Sequence, residues 1–161
     1  MLTKGTGFSA DVFAARRDRL FERLGDAVLI LPSAPTLTRP GGGEVRYRPD
    51  PELYYLTGST EPEVVAVLRG GDHRSFVLFV PEPDPAVALW TGVRMGPEEA
   101  KEALNADEVH PLPVLEKVLP DLLRPHRTAG FRLGSHPRLD AAVREALAWS
   151  RARGARKGDG V

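Results

Sequence analysis

The sequence predicts an α/β protein: a mixed β-sheet flanked by helices in a layered sandwich. Three observations carry that prediction. Ala27-Val28-Leu29-Ile30-Leu31, Val64-Val65-Ala66-Val67-Leu68 and Phe76-Val77-Leu78-Phe79-Val80 are short, continuous apolar runs, the pattern of strands covered on both faces. Stretches with helical apolar spacing alternate with these runs. The second and third runs are separated only by Arg69-Gly70-Gly71-Asp72-His73-Arg74, whose Gly-Gly-Asp centre reads as a turn, so those two strands pair as an antiparallel hairpin.

The first element is an amphipathic helix from about Ala10 to Leu24. Phe13, Leu20, Phe21 and Leu24 share one face, and Arg16, Arg17, Arg19 and Arg23 mostly fall elsewhere. Ser9 suits the cap, Asp11 the positive helix start, and Gly25 the stop. The first strand then ends at Pro32. From Ser33 to Asp50 the chain is rich in Pro and Gly, with Gly41-Gly42-Gly43 at its centre, and reads as a surface loop. Its spacing matches neither the P-loop nor the dinucleotide fingerprint.

Beyond the hairpin, Pro81, Pro83 and Pro85 bend the chain, and Val87 to Trp90 reads as a further strand. Pro97-Glu98-Glu99-Ala100 opens a helix, with proline and acids where a helix start accepts them. Asp107-Glu108-Val109 reads as a brief edge strand. Val114 to Leu123 carries apolar pairs every four residues, in a helix that Pro120 is expected to kink or split. Ala129 to Leu133 is a strand, and Leu139, Val143 and Leu147 mark the inner face of a last helix.

At 161 residues, 42% hydrophobic and 27% charged, the chain reads as a single domain over 1–161, with tails at 1–8 and 154–161. Lys plus Arg equals Asp plus Glu at 22 each, so no overall field favours nucleic acid or an acidic membrane. Cysteine is absent, which removes disulfides and thiolate chemistry. No apolar run is long enough for a signal peptide or a membrane span, and a cytoplasmic location is the expectation.

A series of motifs then narrows the reading. Arg16-Arg17-Asp18-Arg19-Leu20, Leu31-Pro32-Ser33-Ala34-Pro35, Thr38-Arg39 and Arg46-Tyr47-Arg48 are followed by Tyr54-Tyr55-Leu56-Thr57-Gly58, Glu61-Pro62-Glu63 and Trp90-Thr91-Gly92-Val93-Arg94-Met95-Gly96. In this order they resemble the amino-terminal domain of the Xaa-Pro aminopeptidase (aminopeptidase P) and creatinase family, over about residues 9 to 125. The resemblance implies a mixed sheet flanked by helices. It also implies a domain that carries no catalytic metal, packs against a larger pita-bread domain, helps build oligomers and shapes a substrate cleft. Two departures stand out. The family's acidic residue between the equivalents of Arg39 and Tyr47 is replaced by glycine in Pro40-Gly41-Gly42-Gly43, and of an Arg-Asp…Glu cluster before the tryptophan only Asp84 and Trp90 remain.

The resemblance thus leads to an expectation of a chain without catalytic residues, acting in oligomerisation or in partner or peptide binding. The alternative is an amino-terminal fragment of a metal-dependent Xaa-Pro aminopeptidase. No cofactor is expected on this chain; a dinuclear Mn, Co or Zn site belongs to a catalytic domain elsewhere. Partners are a second copy or a separate catalytic peptidase domain, with neither nucleic acid nor membrane. Binding residues are taken to be Arg46, Arg48, Tyr54, Tyr55, Asp84, Trp90 and Arg94.

Each of these residues has an alternative reading. Trp90 beside Gly92 and Arg94 suits an interface anchor or a core aromatic. Arg46 and Arg48, two apart in a possible strand, could grip a carboxylate or decorate a solvated edge. Tyr54 and Tyr55, if extended, place one ring inward and one outward. His110, His126 and His136 neighbour proline, His73 lies in the predicted turn, and none pairs at ligand spacing. Glu61 and Glu63 read as solvated loop acids. Ser33, Ser59, Ser75, Ser135 and Ser150 lack a nucleophile-elbow setting.

Overall fold

Alternation of side chains along the strands decides which helices cover which face. The computed structural model describes residues 7–37, 47–83, 94–134 and 136–157. Five strands form one sheet: β1 (Ala27–Pro32), β2 (Val65–Arg69), β3 (Ser75–Val80), β4 (Glu108–Pro111) and β5 (Thr128–Phe131). Their spatial order is β4-β3-β2-β1-β5. β2 runs antiparallel to β1 and β3, whereas β4 is parallel to β3 and β5 parallel to β1. Four strands therefore point one way and β2 alone is reversed.

Val28, Ile30, Val65, Val67, Val77 and Phe79 face one core. They are covered there by α4 (Leu115–Leu123) and α5 (Pro137–Lys157). Leu31, Ala66, Leu68, Phe76, Leu78 and Val80 face the other. That face is covered by α1 (Ala10–Leu24), α2 (Pro51–Thr57) and α3 (Pro97–Leu104). The result is a three-layer sandwich in which both faces of the sheet are buried, as the continuous apolar runs require.

Several expectations change in detail. Arg17 belongs to the inner face of α1: it is only 4% exposed. It lies four residues from both Phe13 and Phe21, so the helix repeat puts it on the apolar stripe. Its guanidinium donates to the carbonyls of Leu56 (3.0 Å), Leu104 (3.3 Å) and Asn105 (3.0 Å). It also lies over the Phe76 ring, 4.2 Å from its centroid. Burial pushes its pKa down to about 10, which leaves it a cation at neutral pH. Ser9 occupies the cap position of α1 but its side chain makes no capping bond.

Pro120 does not split its helix. It sits within α4, and the bond it forfeits is one to the carbonyl of Glu116, an exposed residue of the first turn where solvent can compensate. In α5 the inner face is Leu139, Ala142, Val143 and Ala146. Leu147 is 38% exposed, because a residue eight positions after Leu139 has rotated to the rim of the stripe. α5 continues through Gly154 to Lys157. Val87 to Trp90 lies outside the described residues.

Candidate functional site

Because β1, β3, β4 and β5 share a direction, their carboxyl ends gather at one edge of the sheet, beside the start of β2. In open α/β sheets this is the edge where connecting loops converge and ligands bind. Three connections meet there: the one leaving β1 at Ser33, the one entering β2 through Glu61 and Glu63, and the one returning to α3 through Arg94 and Met95.

Ser33 extends the β1–β2 ladder beyond Pro32. Its N–H donates to the carbonyl of Val64 (2.7 Å) and its Oγ accepts from the Val64 N–H (3.1 Å). Nε2 of His136 lies 2.6 Å from the Ser33 carbonyl, fixing the entry to α5 against the same segment. Tyr47 donates its hydroxyl to the carbonyl of Glu61 at 3.3 Å. Burial raises the Tyr47 pKa, opposed by hydrogen bonding to Ser33 and Ala34, so the phenol stays protonated. Glu61 accepts the N–H of Met95 through Oε1 at 3.3 Å, and Glu63 pairs with Arg94. Glu61 is therefore half-buried and ties one connection to another, whereas Glu63, though paired with Arg94, remains solvent-exposed as expected of a loop acid. Glu63 makes its pair with φ at +60°, the left-handed region that a residue with a Cβ seldom occupies.

A groove of about 630 Å³ opens beside this junction, between the Pro32–Thr36 segment, Leu112–Leu115 and the start of α5. Its walls are mostly apolar, and the lining also includes Glu116 and Arg138. On the far side of Pro32–Pro35, Asp50 caps α2, accepting from the N–H groups of Glu52 (2.9 Å) and Leu53 (3.0 Å). Its other oxygen pairs with Arg132 at 3.1 Å, and Arg132 also reaches Glu52 at 2.8 Å. Glu52 first, and Asp50 after it, raise the Arg132 pKa.

The expected binding residues divide into four groups. Arg94 is at the junction, held by Glu63. Arg48 is exposed, in a segment that is not a strand, since it lies in irregular chain just before the α2 cap. Tyr54 and Tyr55 sit on a helix rather than in extended chain, because Asp50, Pro51 and Glu52 supply a cap, a first-turn proline and a first-turn acid. One ring still goes in and the other out, now by the turn of a helix. Tyr54 meets Phe13 edge-on at 5.9 Å, while Tyr55 is 52% exposed with the Arg16 guanidinium 4.4 Å from its ring centroid. Arg46, Asp84 and Trp90 lie outside the described residues.

Sequence reasoning missed Ser33, Tyr47, Asp50 and His136 as organisers of this edge. Asp50-Pro51-Glu52 carried a legible helix-start signal. The partners of the other three are more than ten residues away in sequence, and no local pattern announces them. Among the described residues, no group of three or more His, Asp or Glu is arranged to hold a metal ion.

Residues 13–129 match the family described as aminopeptidase P, N-terminal domain, and the chain belongs to that family. The Xaa-Pro aminopeptidase of Escherichia coli strain K12 is 34% identical over 143 residues, covering 86% of this chain and 32% of that protein. The Arabidopsis thaliana protein named intermediate cleaving peptidase 55, mitochondrial, is 33% identical over 119 residues, covering 73% of this chain and 24% of its own. The chain thus spans only 24% to 32% of the length of these relatives. Among solved structures, E. coli aminopeptidase P in its low-pH form superposes with a TM-score of 0.84 at 30% identity, covering 95% of this chain and 35% of that one. Pseudomonas aeruginosa aminopeptidase PepP gives a TM-score of 0.82 at 33% identity, with coverages of 94% and 34%. Among the described residues no helix is long and apolar enough to cross a membrane.

Proposed function

We propose that this chain is a non-catalytic binding and assembly domain of the Xaa-Pro aminopeptidase family. It presents the carboxyl edge of its sheet to a peptide or partner chain and associates with a second copy or with a separate peptidase domain. The observation that supports this most is how the acidic and imidazole groups at the edge are used. Glu61, Glu63, Asp50 and His136 each hold a loop, a helix start or a backbone carbonyl rather than converging on one point. Peptide hydrolysis in a two-metal site needs several such groups aimed at the same two cations. On this reading the chain carries no cofactor of its own, works in the cytoplasm, and binds neither nucleic acid nor membrane. Arg46, Arg48, Tyr54, Tyr55, Asp84, Trp90 and Arg94 are its contact residues.

The test has two parts. Purified protein with manganese, cobalt or zinc is offered an Xaa-Pro peptide, and no cleavage is expected; metal-dependent release of the first residue would overturn the proposal. Light scattering is expected to give a mass above that of one chain, and a monomer at every concentration would remove self-association from it.

A second reading, the amino-terminal part of a metal-dependent Xaa-Pro aminopeptidase, is favoured by one observation: 86% of this chain aligns to 32% of the E. coli enzyme. A coding sequence that continues past Val161 into a metal-binding domain would establish it.

A further inference from the structure

At the opposite edge of the sheet, where β1 and β5 begin and β2 ends, a histidine is enclosed by polar groups from three separate elements. The side chain of His126 has no exposed surface. Arg69, the last residue of β2, directs its Nε–H at Nε2 of His126 over 3.4 Å. Nδ1 lies 3.4 Å from the carbonyl oxygen of Asp26 and 3.5 Å from its carboxylate, in the turn that opens β1. The His73 ring, from the turn between β2 and β3, meets the His126 ring edge-on with centroids 6.0 Å apart. Close backbone approach assembles the group: Gly70 donates its N–H to Ala27 at 2.9 Å, and a Cβ on Gly70 would lie 2.1 Å from the carbonyl oxygen of Gly25.

These contacts select one protonation state. Nε2 must be a bare acceptor to receive the Arg69 donor, and Nδ1 must carry the hydrogen to donate to Asp26, so the imidazole is neutral. A second proton on Nε2 would set donor against donor and cation against cation. Among the described residues Asp26 is the one carboxylate facing the ring, against the charge of Arg69 and the neighbouring His73. On the side of α4, the His126 backbone N–H donates to the Leu123 carbonyl at 3.0 Å, and Arg124 is paired with Asp121.

We propose that His126 is an acid-sensitive latch: neutral, it fastens the start of β5 to the β1–β2 end of the sheet, and protonated, it lets that edge strand open. β5 is suited to such a role. Among the described residues it is paired on one side only, to β1, through the four pairs from Ala27–Thr128 to Ile30–Phe131. His126 and Arg127 are the only residues between the helical turn ending α4 and β5. Opening would bare the edge of β1, a row of backbone groups able to accept another strand.

The direction with pH follows from the shift of the ring. Burial, the largest cause, lowers the His126 pKa below its ordinary 6.5. Above 6.5 neither the closed nor the open form holds the extra proton. As pH falls through 6.5 the open form takes it up first, so the closed form loses stability until the pH passes the lowered value.

Two measurements decide the matter. Imidazole NMR of the whole chain should show His126 titrating below 6.5. Amide exchange in β5, corrected for intrinsic rates, should reveal several-fold more opening at about pH 5.5 than at about pH 7.5, within the limit of about tenfold per pH unit for one proton. His126→Gln keeps an acceptor for Arg69 and cannot titrate, so its β5 opening should be flat across that range. Arg69→Gln, which removes the facing charge, should raise the His126 pKa. A wild-type ring that titrates at or above its ordinary value, or the same pH dependence of β5 in H126Q, would overturn the latch.

Discussion

The two faces of the sheet are built on different physical terms. Under α4 and α5 the buried core residues described are hydrocarbon side chains: Leu115, Leu119, Leu122 and Leu123 meet Leu139, Ala142, Val143 and Ala146 over the valines of β1 to β3. Under α1, α2 and α3 an arginine is buried among Leu, Phe and Met. The difference lies in what each face encloses. α4 and α5 lay their sides on the sheet. α2 and α3 also bury their carboxyl ends against α1, and the last carbonyls of a helix lack partners within it. Leu56, Leu104 and Asn105 are such carbonyls, and one planar guanidinium with several donors satisfies all three while favouring the negative ends of two helix dipoles. A face that buries helix sides needs only hydrocarbon; one that buries helix ends needs a donor as well.

The sharpest way to break that contrast is Arg17→Met, which preserves bulk but leaves three carbonyls without their donor. A loss of about 4 kcal/mol is expected in chemical denaturation, from roughly 1–3 kcal/mol per unsatisfied buried group, discounted for partial access to water. Arg17→Lys should recover less than half of it, since an ammonium cannot span three acceptors as a fork does. Full recovery by lysine would show that charge alone matters.

On the other face, Leu119→Ala should cost about 3 kcal/mol through lost burial and the cavity left behind. Leu119→Met should cost under about 1.5 kcal/mol, as volume-conserving swaps do. If Leu119→Met were as harmful as Leu119→Ala, the idea that this face depends on hydrocarbon volume would fail. The smallest effect is expected from Asp50→Ala. It removes the cap at the amino end of α2, opposite the end held by Arg17, and should cost about 1 kcal/mol, seen as a modest fall in thermal midpoint. Combined with Arg17→Met it should cost less than the sum if α2 is held as a unit from both ends, because the first substitution already loosens the helix on which the second acts.

Much of the scaffold is legible in local pattern. The apolar runs marked β1, β2 and β3 because strands covered on both faces need hydrocarbon on both, and Pro97-Glu98-Glu99 marked α3 because a helix start tolerates proline and favours acids. α2 was also writable, from Asp50-Pro51-Glu52, but the paired tyrosines drew attention to extended chain. Arg17 was hidden for a different reason: its stripe position was visible, yet a charge on an apolar stripe is read as an outlier until the carbonyls it serves are in place. The candidate edge was least legible. Glu61, Glu63 and Arg94 stood in recognisable motifs, but their pairing spans about thirty residues and depends on which strand ends share an edge.

By itself, then, the amino-acid order determined the class of fold, most of the elements and the family, because periodicity, capping and motif order are properties of neighbours along the chain. Tertiary structure alone decided which polar groups became internal fastenings: Arg17 beneath two helix ends and His126 between Arg69 and Asp26. A buried polar side chain is stabilised by partners that only folding brings within hydrogen-bonding distance, so its role is set by geometry across the sheet rather than by its place in the sequence.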